Sequence, residues 1–213
     1  MSRVPHILVG AGGHAAVVLD ALQRQGLGLP REIWVEGTPN CDTLLGVPVQ
    51  PWAAIDLRGQ TVHVAVGDGR HRRRMLQALL AQGAAALSVV HPSAQLSAYA
   101  QLGAGSFMAA GAVLGPRSET GVGVILNTMA AVDHDCRIGD YAHLAPRATL
   151  GGHVEIGAGC WIGIGATIRD RRRVGRDTLV GAGAVVVADL PEQVLAFGVP
   201  ARVQHRLDDG KPA

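Results

Sequence analysis

The sequence predicts an α/β domain over residues 1–90, followed by a parallel β-helix over residues 91–213. Two observations support this division. Strand-like and helix-like segments alternate along residues 1–90, which is typical of a parallel sheet covered by helices. From Leu96 to Val186 every sixth residue is aliphatic, with Thr120 as the exception. A period of six fits neither a helix nor a flat strand, and it is typical of a β-helix that turns a corner once per repeat.

In the first domain we expect strands at residues 6–9, 33–35, 62–66 and 86–90, with a short additional strand at 47–49. Helices are expected at residues 15–25 and 71–81, because apolar residues recur there at helical spacing. The residues expected to face the core are Val17, Val18, Ala21 and Leu22 in the first helix, and Met75, Leu76, Leu79 and Leu80 in the second. The arginines of residues 70–74 should form mainly a solvated helix face.

A glycine-rich loop joins the first strand to the first helix. Gly10, Gly12 and Ala15 follow the pattern G-x-G-x-x-A, and Glu36 ends the second strand about twenty residues later. Glycines at such a loop let a phosphate approach backbone N–H groups at a helix N-terminus. Gly67-Asp68-Gly69 should end another strand at the same sheet edge. One such Rossmann-like unit favours a single nucleotide over a dinucleotide; a plain tight turn is the alternative.

The repeat has a frame of six positions, with the aliphatic series at position one. Position five is Ala, Ser, Thr, Val or Cys except at Arg172 and Leu190, so Cys136 and Cys160 are expected in the core. Position two is often Gly, which we expect to give the backbone freedom at corners. Three hexads should close one triangular coil, giving about five coils. Arg172 is expected to mark a local loop-out.

Composition excludes several classes of function. The net charge of +2 gives no argument for a nucleic-acid partner. No apolar run reaches the roughly 18 residues of a membrane span, and the N-terminus resembles a strand rather than a signal peptide. The 3 cysteines form no disulfide framework. A reducing, cytoplasmic location is therefore expected.

Two histidines of the repeat are candidates for chemistry. His134 lies at position three, outside the core frame, with Asp135 beside it, whereas His143 lies at position six on a different face of the coil. Three interpretations are open: acyl transfer with His134 as general base, metal binding by these histidines with His153, or no function. His153 stacks one residue out of register with His134, so no metal is expected. Our hypothesis is that neighbouring prisms of a trimer bring His134 and His143 together.

The chain resembles the bacterial sugar acyltransferases of the sialic-acid O-acetyltransferase type, which include the N-acetyltransferases of bacillosamine and perosamine biosynthesis. The resemblance rests on GVILNTMAAVDHDCRIGDYAHLAPRATLGGHVEIGAGCWIGIGATI and the tail FGVPARV. The N-terminal HILVGAGGHAAVVLDAL is similar to that family's nucleotide-sugar domain. It implies a left-handed β-helix, a homotrimer with active sites between subunits, and acetyl-CoA as co-substrate.

The resemblance also implies roles for individual residues. His134 would be the general base with Asp135 as its carboxylate, and His143 would hydrogen-bond the acetyl group. Ile164 and Ala182 would line the groove for the pantetheine arm. The residues that would hold the nucleotide sugar are Gly12, Gly13, His14, Glu36, Gly37, Gly67 and Arg70.

The implied reaction is N-acetylation of a nucleotide-linked 4-amino-4,6-dideoxy sugar in glycan biosynthesis. Relatives commonly end the second strand with two acidic residues, whereas this chain has Glu36-Gly37, so the base could be uracil or guanine. Two alternatives stay open: O-acetylation of a sialic-acid-like sugar, and a non-catalytic β-helix scaffold.

Overall fold

The structure, a computed structural model, describes residues 4–26, 28–53 and 55–207. It begins with an α/β unit. The elements of this unit are β1 (Ile7–Val9), α1 (Gly13–Gln25), β2 (Glu32–Val35), β3 (Thr43–Leu44), β4 (Val47–Pro51), β5 (Thr61–Val64), α2 (Gly69–Ala81) and β6 (Ala85–Ala86). Their sheet has the order β3-β4-β2-β1-β5-β6, and it is parallel except for the β3–β4 hairpin.

Residues 89–206 form a parallel β-helix with three faces. Face 1 contains β7 (Val89–Val90), β9 (Phe107–Met108), β12 (Ile125–Leu126), β15 (His143–Leu144), β18 (Trp161–Ile162), β21 (Leu179–Val180), β23 (Val194–Gly198) and β24 (Ala201–Arg206). Face 2 contains β8 (Gln95–Leu96), β10 (Val113–Leu114), β13 (Ala131–Val132), β16 (Thr149–Leu150), β19 (Thr167–Ile168) and β22 (Val185–Val186). Face 3 contains β11 (Glu119–Thr120), β14 (Arg137–Ile138), β17 (Glu155–Ile156) and β20 (Arg173–Val174).

The interior of the prism is filled by the aliphatic series, as the six-residue period predicts. From Met108 to Val186 these side chains are buried, while Leu96 at the open end is 40% exposed. Cys136 and Cys160 are buried among them, which confirms the prediction for position five. Thr120 fits because its hydroxyl accepts a hydrogen bond from the Gly103 N–H at 2.9 Å.

The corners of the coil correct the predicted role of glycine. Left-handed backbone occurs at position four, as at Gly123, Asp135 and His153, whereas the position-two glycines have ordinary φ values. A Cβ on Gly139 or Gly157 would clash with the backbone of the next coil. Position two therefore needs Gly for the close approach of coils, and conformational freedom is needed two residues later.

Both helices begin two residues before their predicted starts, and three of the four residues predicted to be buried in each helix are buried, namely Val18, Ala21 and Leu22 in α1 and Met75, Leu76 and Leu79 in α2. Val17 and Leu80 were expected in the core but are each 41% exposed. Leu19 and Arg72 are buried instead. The reason is that the helices also pack against the prism: Leu19 belongs to a cluster that contains side chains of face 1, and Arg72 bonds to backbone carbonyls of the prism.

Three further expectations can be compared with the structure. The predicted additional strand at 47–49 is confirmed as part of β4. The predicted strand at 86–90 is wrong, because β6 joins the α/β sheet whereas β7 already belongs to face 1. The loop-out at Arg172 is also wrong: its carbonyl accepts from the Glu155 N–H at 3.0 Å in regular register, and its side chain turns outward to Asp189 at 3.3 Å.

The α/β unit lies directly on face 1. Phe107, Ile125 and His143 of that face are buried beneath it. Arg72 crosses the junction, donating to the carbonyls of Gly123 and Tyr141, each at 2.7 Å. Among the described helices, neither is long and apolar enough to span a bilayer.

Candidate active site

His134 and Asp135 form a hydrogen-bonded pair at the corner between face 2 and face 3. His134 follows β13, and its side chain is 43% exposed. Its Nδ1 lies 2.6 Å from Asp135 Oδ2. A carboxylate can only accept, so Nδ1 carries the proton of the neutral ring and the Nε2 lone pair is left available. The pair therefore presents a base to the outside of the prism.

Arg117 holds this pair from the preceding coil. Its Nε donates to Asp135 Oδ1 at 2.7 Å, and its terminal nitrogen donates to Oδ2 at 2.6 Å. These bonds from Arg117, followed by the bond from His134, hold the pKa of the Asp135 carboxyl well below its usual range. Asp135 is thus a carboxylate fixed by Arg117, and its bond to Nδ1 orients the His134 ring.

His153 lies on the other side of Asp135, in the next coil. It stacks on Asp135 rather than on His134, as its spacing predicts, with Nε2 at 3.8 Å from Oδ2. Its ring still meets the His134 ring edge to face, with centroids 5.2 Å apart. These three residues offer ligand atoms within 4.8 Å of one another, a spacing that suits a divalent cation. Arg117 occupies both Asp135 oxygens and opposes a second cation there, so the absence of a metal stays our prediction.

His143 is not part of this cluster. It lies on face 1 under the α/β unit and is only 4% exposed. Its Nδ1 donates to the Gly67 carbonyl at 3.1 Å, and its Nε2 accepts from the Asn127 amide at 3.1 Å. Burial lowers the pKa of His143 to about 4, so the ring is neutral. Both ring nitrogens are engaged within the chain, and contact with an acetyl group would require Asn127 to turn away.

His14 joins His143 at the junction of the two units. His14 lies in the first turn of α1, and the centroids of the His14 and His143 rings are 6.1 Å apart. Burial is the main cause that lowers the pKa of His14 to about 3, and the nearby Arg72 cation lowers it further. Its Nε2 is buried and has no hydrogen-bond partner within the described residues. The ring therefore has one polar atom available for a ligand at the start of α1.

The glycine loop and the β5–α2 turn lie on one edge of the sheet, as the sequence predicts. Space is open where a Cβ on Gly12 or Gly13 would stand. Glu36 is paired with Arg74 at 2.7 Å and His71 at 2.9 Å, both on α2. Gly37 follows with a φ of 74°.

A cleft of about 340 Å³ lies beside this edge. Its walls include Arg70 from the first turn of α2, and Trp161 and Leu179 from face 1. Trp161 is 38% exposed, and its ring packs against His143 with centroids 4.2 Å apart. The cleft thus places Arg70 opposite an aromatic side chain that the sequence analysis did not single out.

Ile164 and Ala182 stack at the corner between faces 1 and 2. Both are exposed, Ile164 at 60%. The Ile164 carbonyl accepts from the Gly183 N–H at 2.8 Å, as part of the coil ladder. Within the described residues, the amide N–H groups of Ile164 and Ala182 have no acceptor. Two outward donors one coil apart suit a ligand that carries carbonyl groups.

One chain does not bring the candidate residues together. The sheet edge with Gly12, Gly67 and Arg70 lies against face 1, whereas His134 lies at the corner between the other two faces. That corner is opposite face 1 in a triangular prism. His134 therefore points away from the α/β unit of its own chain.

The sequence analysis did not single out Arg72, Arg117, Asn127 or Trp161. For two of them a signal was present. Arg72 precedes Met75, Leu76 and Leu79 at helical spacing, which marks it as buried. Arg117 comes eighteen residues before Asp135, one coil length, and both occupy position four. A cation one coil length before a carboxylate at the same position of the repeat is the signal that could have predicted this ion pair.

The comparisons with known proteins identify the family of the chain. The family described as bacterial transferase hexapeptide (six repeats) matches residues 153–188. GDP-perosamine N-acetyltransferase of Escherichia coli O157:H7 is 29% identical over 150 residues, covering 68% of this chain and 67% of that protein.

Two solved structures match nearly the whole chain. PerB from Caulobacter crescentus, in complex with CoA and GDP-perosamine, is 37% identical with a TM-score of 0.87, covering 96% of this chain and 98% of PerB. The acetyltransferase domain of PglB from Neisseria gonorrhoeae FA1090, in complex with acetyl coenzyme A, is 34% identical with a TM-score of 0.86, covering 96% and 100%. Because this likeness extends over both units and the hexapeptide pattern recurs in the prism, the chain belongs to the family of bacterial hexapeptide transferases.

Proposed function

We propose that the protein is an acetyl-CoA-dependent N-acetyltransferase that acts on the amino group of a nucleotide-linked 4-amino-4,6-dideoxy sugar. The observation that carries the proposal is the Arg117–Asp135–His134 chain, which leaves Nε2 of an exposed imidazole free to act as a base. The whole-length likeness to PerB, whose structure contains CoA and GDP-perosamine, supports the choice of substrates.

The reaction follows from this geometry. The neutral sugar amine attacks the thioester carbonyl, and His134 Nε2 takes the proton that the amine loses. Asp135 stabilises the resulting imidazolium and keeps Nδ1 protonated throughout. The tetrahedral intermediate collapses to an amide and the CoA thiolate, which receives the proton from His134. Because a thiolate leaves readily, positioning and one base suffice without a covalent intermediate.

The nucleotide sugar is assigned to the edge of the α/β unit, which we interpret as Rossmann-like. Gly12 and Gly13 leave room for the diphosphate at the start of α1, and His14 offers its unpartnered Nε2. Gly67, Arg70, Glu36 and Gly37 would surround the rest of the nucleotide. GDP is the first candidate, because the PerB structure contains GDP-perosamine and the Escherichia coli relative is named for that compound.

Acetyl-CoA is assigned to the corner of Ile164 and Ala182. Their outward amide donors would bind carbonyls of the pantetheine arm. His143 is assigned to the same site as a neutral donor for the acetyl group, with the condition that Asn127 turns away and the ring proton moves from Nδ1 to Nε2.

A homotrimer completes the site. The α/β unit of one chain would face His134 of its neighbour, since His134 points away from its own α/β unit. Within this proposal the coil is left-handed, the domain boundary lies near residue 90, and the location is cytoplasmic.

The test is acetyl-CoA-dependent thiol release with GDP- and UDP-linked 4-amino-4,6-dideoxy sugars. We expect release that requires the amine, yields an N-acetylated sugar by mass spectrometry, and falls by roughly 10²- to 10⁴-fold in His134→Ala. Acetylation of a hydroxyl on a sialic-acid-like sugar instead would replace this proposal with the O-acetyltransferase. If acetyl-CoA does not bind at all, the scaffold interpretation stands.

A further inference from the structure

The ring of His134 lies directly over the backbone of Gly152 in the next coil. A Cβ built on Gly152 would be 2.6 Å from both Cε1 and Nε2 of His134, and 3.2 Å from Nδ1. Separations under 3.0 Å are not tolerated by a Cβ, so an added methyl group must displace the ring. Gly152 itself is buried. The missing side chain at this position thus creates the space that the imidazole occupies.

The backbone does not require glycine there. The φ of Gly152 lies outside the left-handed region, so an L-residue can adopt the conformation without strain. The position-two glycines, such as Gly151, are different, because a Cβ on them would meet the backbone of the neighbouring coil. Among the described glycines, Gly152 is the one for which the three nearest atoms all belong to a histidine ring. The closest constraint on a side chain at Gly152 therefore comes from the His134 ring.

The ring has little freedom to move aside. Asp135 holds Nδ1 at 2.6 Å, and Arg117 fixes that carboxylate by two bonds. The His153 ring stands edge to face at 5.2 Å. A methyl group on Gly152 must therefore break the bond to Asp135 or push the ring off its corner.

We propose that Gly152 is a positioning residue for the reaction. Because it has no side chain, the His134 ring can lie against its Cα, and this contact fixes where Nε2 of His134 points. This inference rests on the proposed function, because it says that the contact between Gly152 and the His134 ring affects the rate of acetyl transfer. A displacement of the base by about 1 Å is worth roughly 10²-fold in rate.

The test is Gly152→Ala, compared with Ala158→Ser as a control. Ala158 occupies position three of the six-residue repeat, as Gly152 does, but at the next corner of the coil. We expect kcat to fall on the order of 10²-fold in Gly152→Ala, with KM for acetyl-CoA and the melting temperature close to wild type. Ala158→Ser should keep its kcat within about threefold. A Gly152→Ala enzyme with kcat within about threefold of wild type overturns the proposal.

A double variant separates positioning from general damage. Because Gly152 acts only through the ring, Gly152→Ala should cost nothing further in a His134→Asn background, and an additional tenfold loss there contradicts the proposal. The crystal structure of Gly152→Ala supplies a measurement without activity: we expect the His134 ring rotated away from Asp135. If the wild-type protein shows no acetyl transfer at all, the proposed function fails. If the His134 ring has not moved in the crystal structure of Gly152→Ala, the positioning role of Gly152 is overturned.

Discussion

At the residue scale, the site depends on which nitrogen of His134 carries the proton. Asp135 and Arg117 decide this, since a carboxylate pinned by a guanidinium can only accept from Nδ1. Asp133 also bonds locally, but through its Oδ1 to the backbone N–H of His134 at 2.7 Å, not to the ring. Asp135 therefore controls which ring nitrogen of His134 carries the proton, whereas Asp133 bonds only to the backbone of His134.

Asp135→Asn should remove the tautomer control without removing the side chain. An amide can donate to Nδ1, which would place the proton on Nε2 and eliminate the base. We expect kcat to fall by about 10²- to 10⁴-fold, with KM for acetyl-CoA little changed. Asp133→Asn is the matched control and should stay within about threefold, because the Asn oxygen still accepts from the backbone. Equal losses in the two variants would show that tautomer control is not the cause.

At the scale of elements, α2 fastens the α/β unit to the prism through Arg72. Its guanidinium donates to Val66, Gly67, Gly123 and Tyr141 carbonyls, all at 2.7 or 2.8 Å. Burial lowers the pKa of Arg72 to about 10, which leaves it charged at neutral pH. The helix therefore contributes a buried cation where its sequence suggests a solvated face.

Arg72→Leu should lower the free energy of unfolding by roughly 3–5 kcal/mol, because several buried carbonyls lose their donor. A urea titration monitored by circular dichroism measures this free energy of unfolding. Arg74→Leu, which removes only an exposed pair with Glu36, should cost at most about 1 kcal/mol. If the two variants unfold at the same urea concentration, Arg72 does not fasten the units.

Some of these structural features could be predicted from the sequence, and others could not. The six-residue period predicts the prism and its core because a side chain enters the interior at one fixed position per corner. It does not predict Leu19 or Arg72, since the buried face of a helix depends on what packs against it from outside the local sequence. His134 and Asp135 are adjacent and could be paired from the sequence, whereas Gly152 required the distance between two coils.

At the scale of the whole molecule, three neutral histidines lie at or near the junction of the two units. Burial lowers the pKa of His63 and of His143 to about 4, and that of His14 to about 3. The ordinary value is 6.5, so below it the unfolded chain binds protons that the folded chain does not. Stability should therefore decline as pH falls from about 6.5 towards 4.

His63→Gln should flatten this pH dependence. We expect the fall in unfolding free energy between pH 7 and pH 4 to be smaller by roughly 2–4 kcal/mol than in wild type. Chemical denaturation at a series of pH values measures it. An unchanged slope would mean that His63 already titrates normally in the folded protein.

In the proposed trimer, the base of one chain acts on a sugar held by another chain. This arrangement predicts that two inactive chains restore each other in mixed trimers. One chain carries His134→Ala, and the other carries Gly12→Trp, which fills the open space before α1. Random mixing should give one intact site in about four, hence roughly a quarter of wild-type acetyl transfer. A mixture that assembles but is no more active than either variant alone would contradict the account.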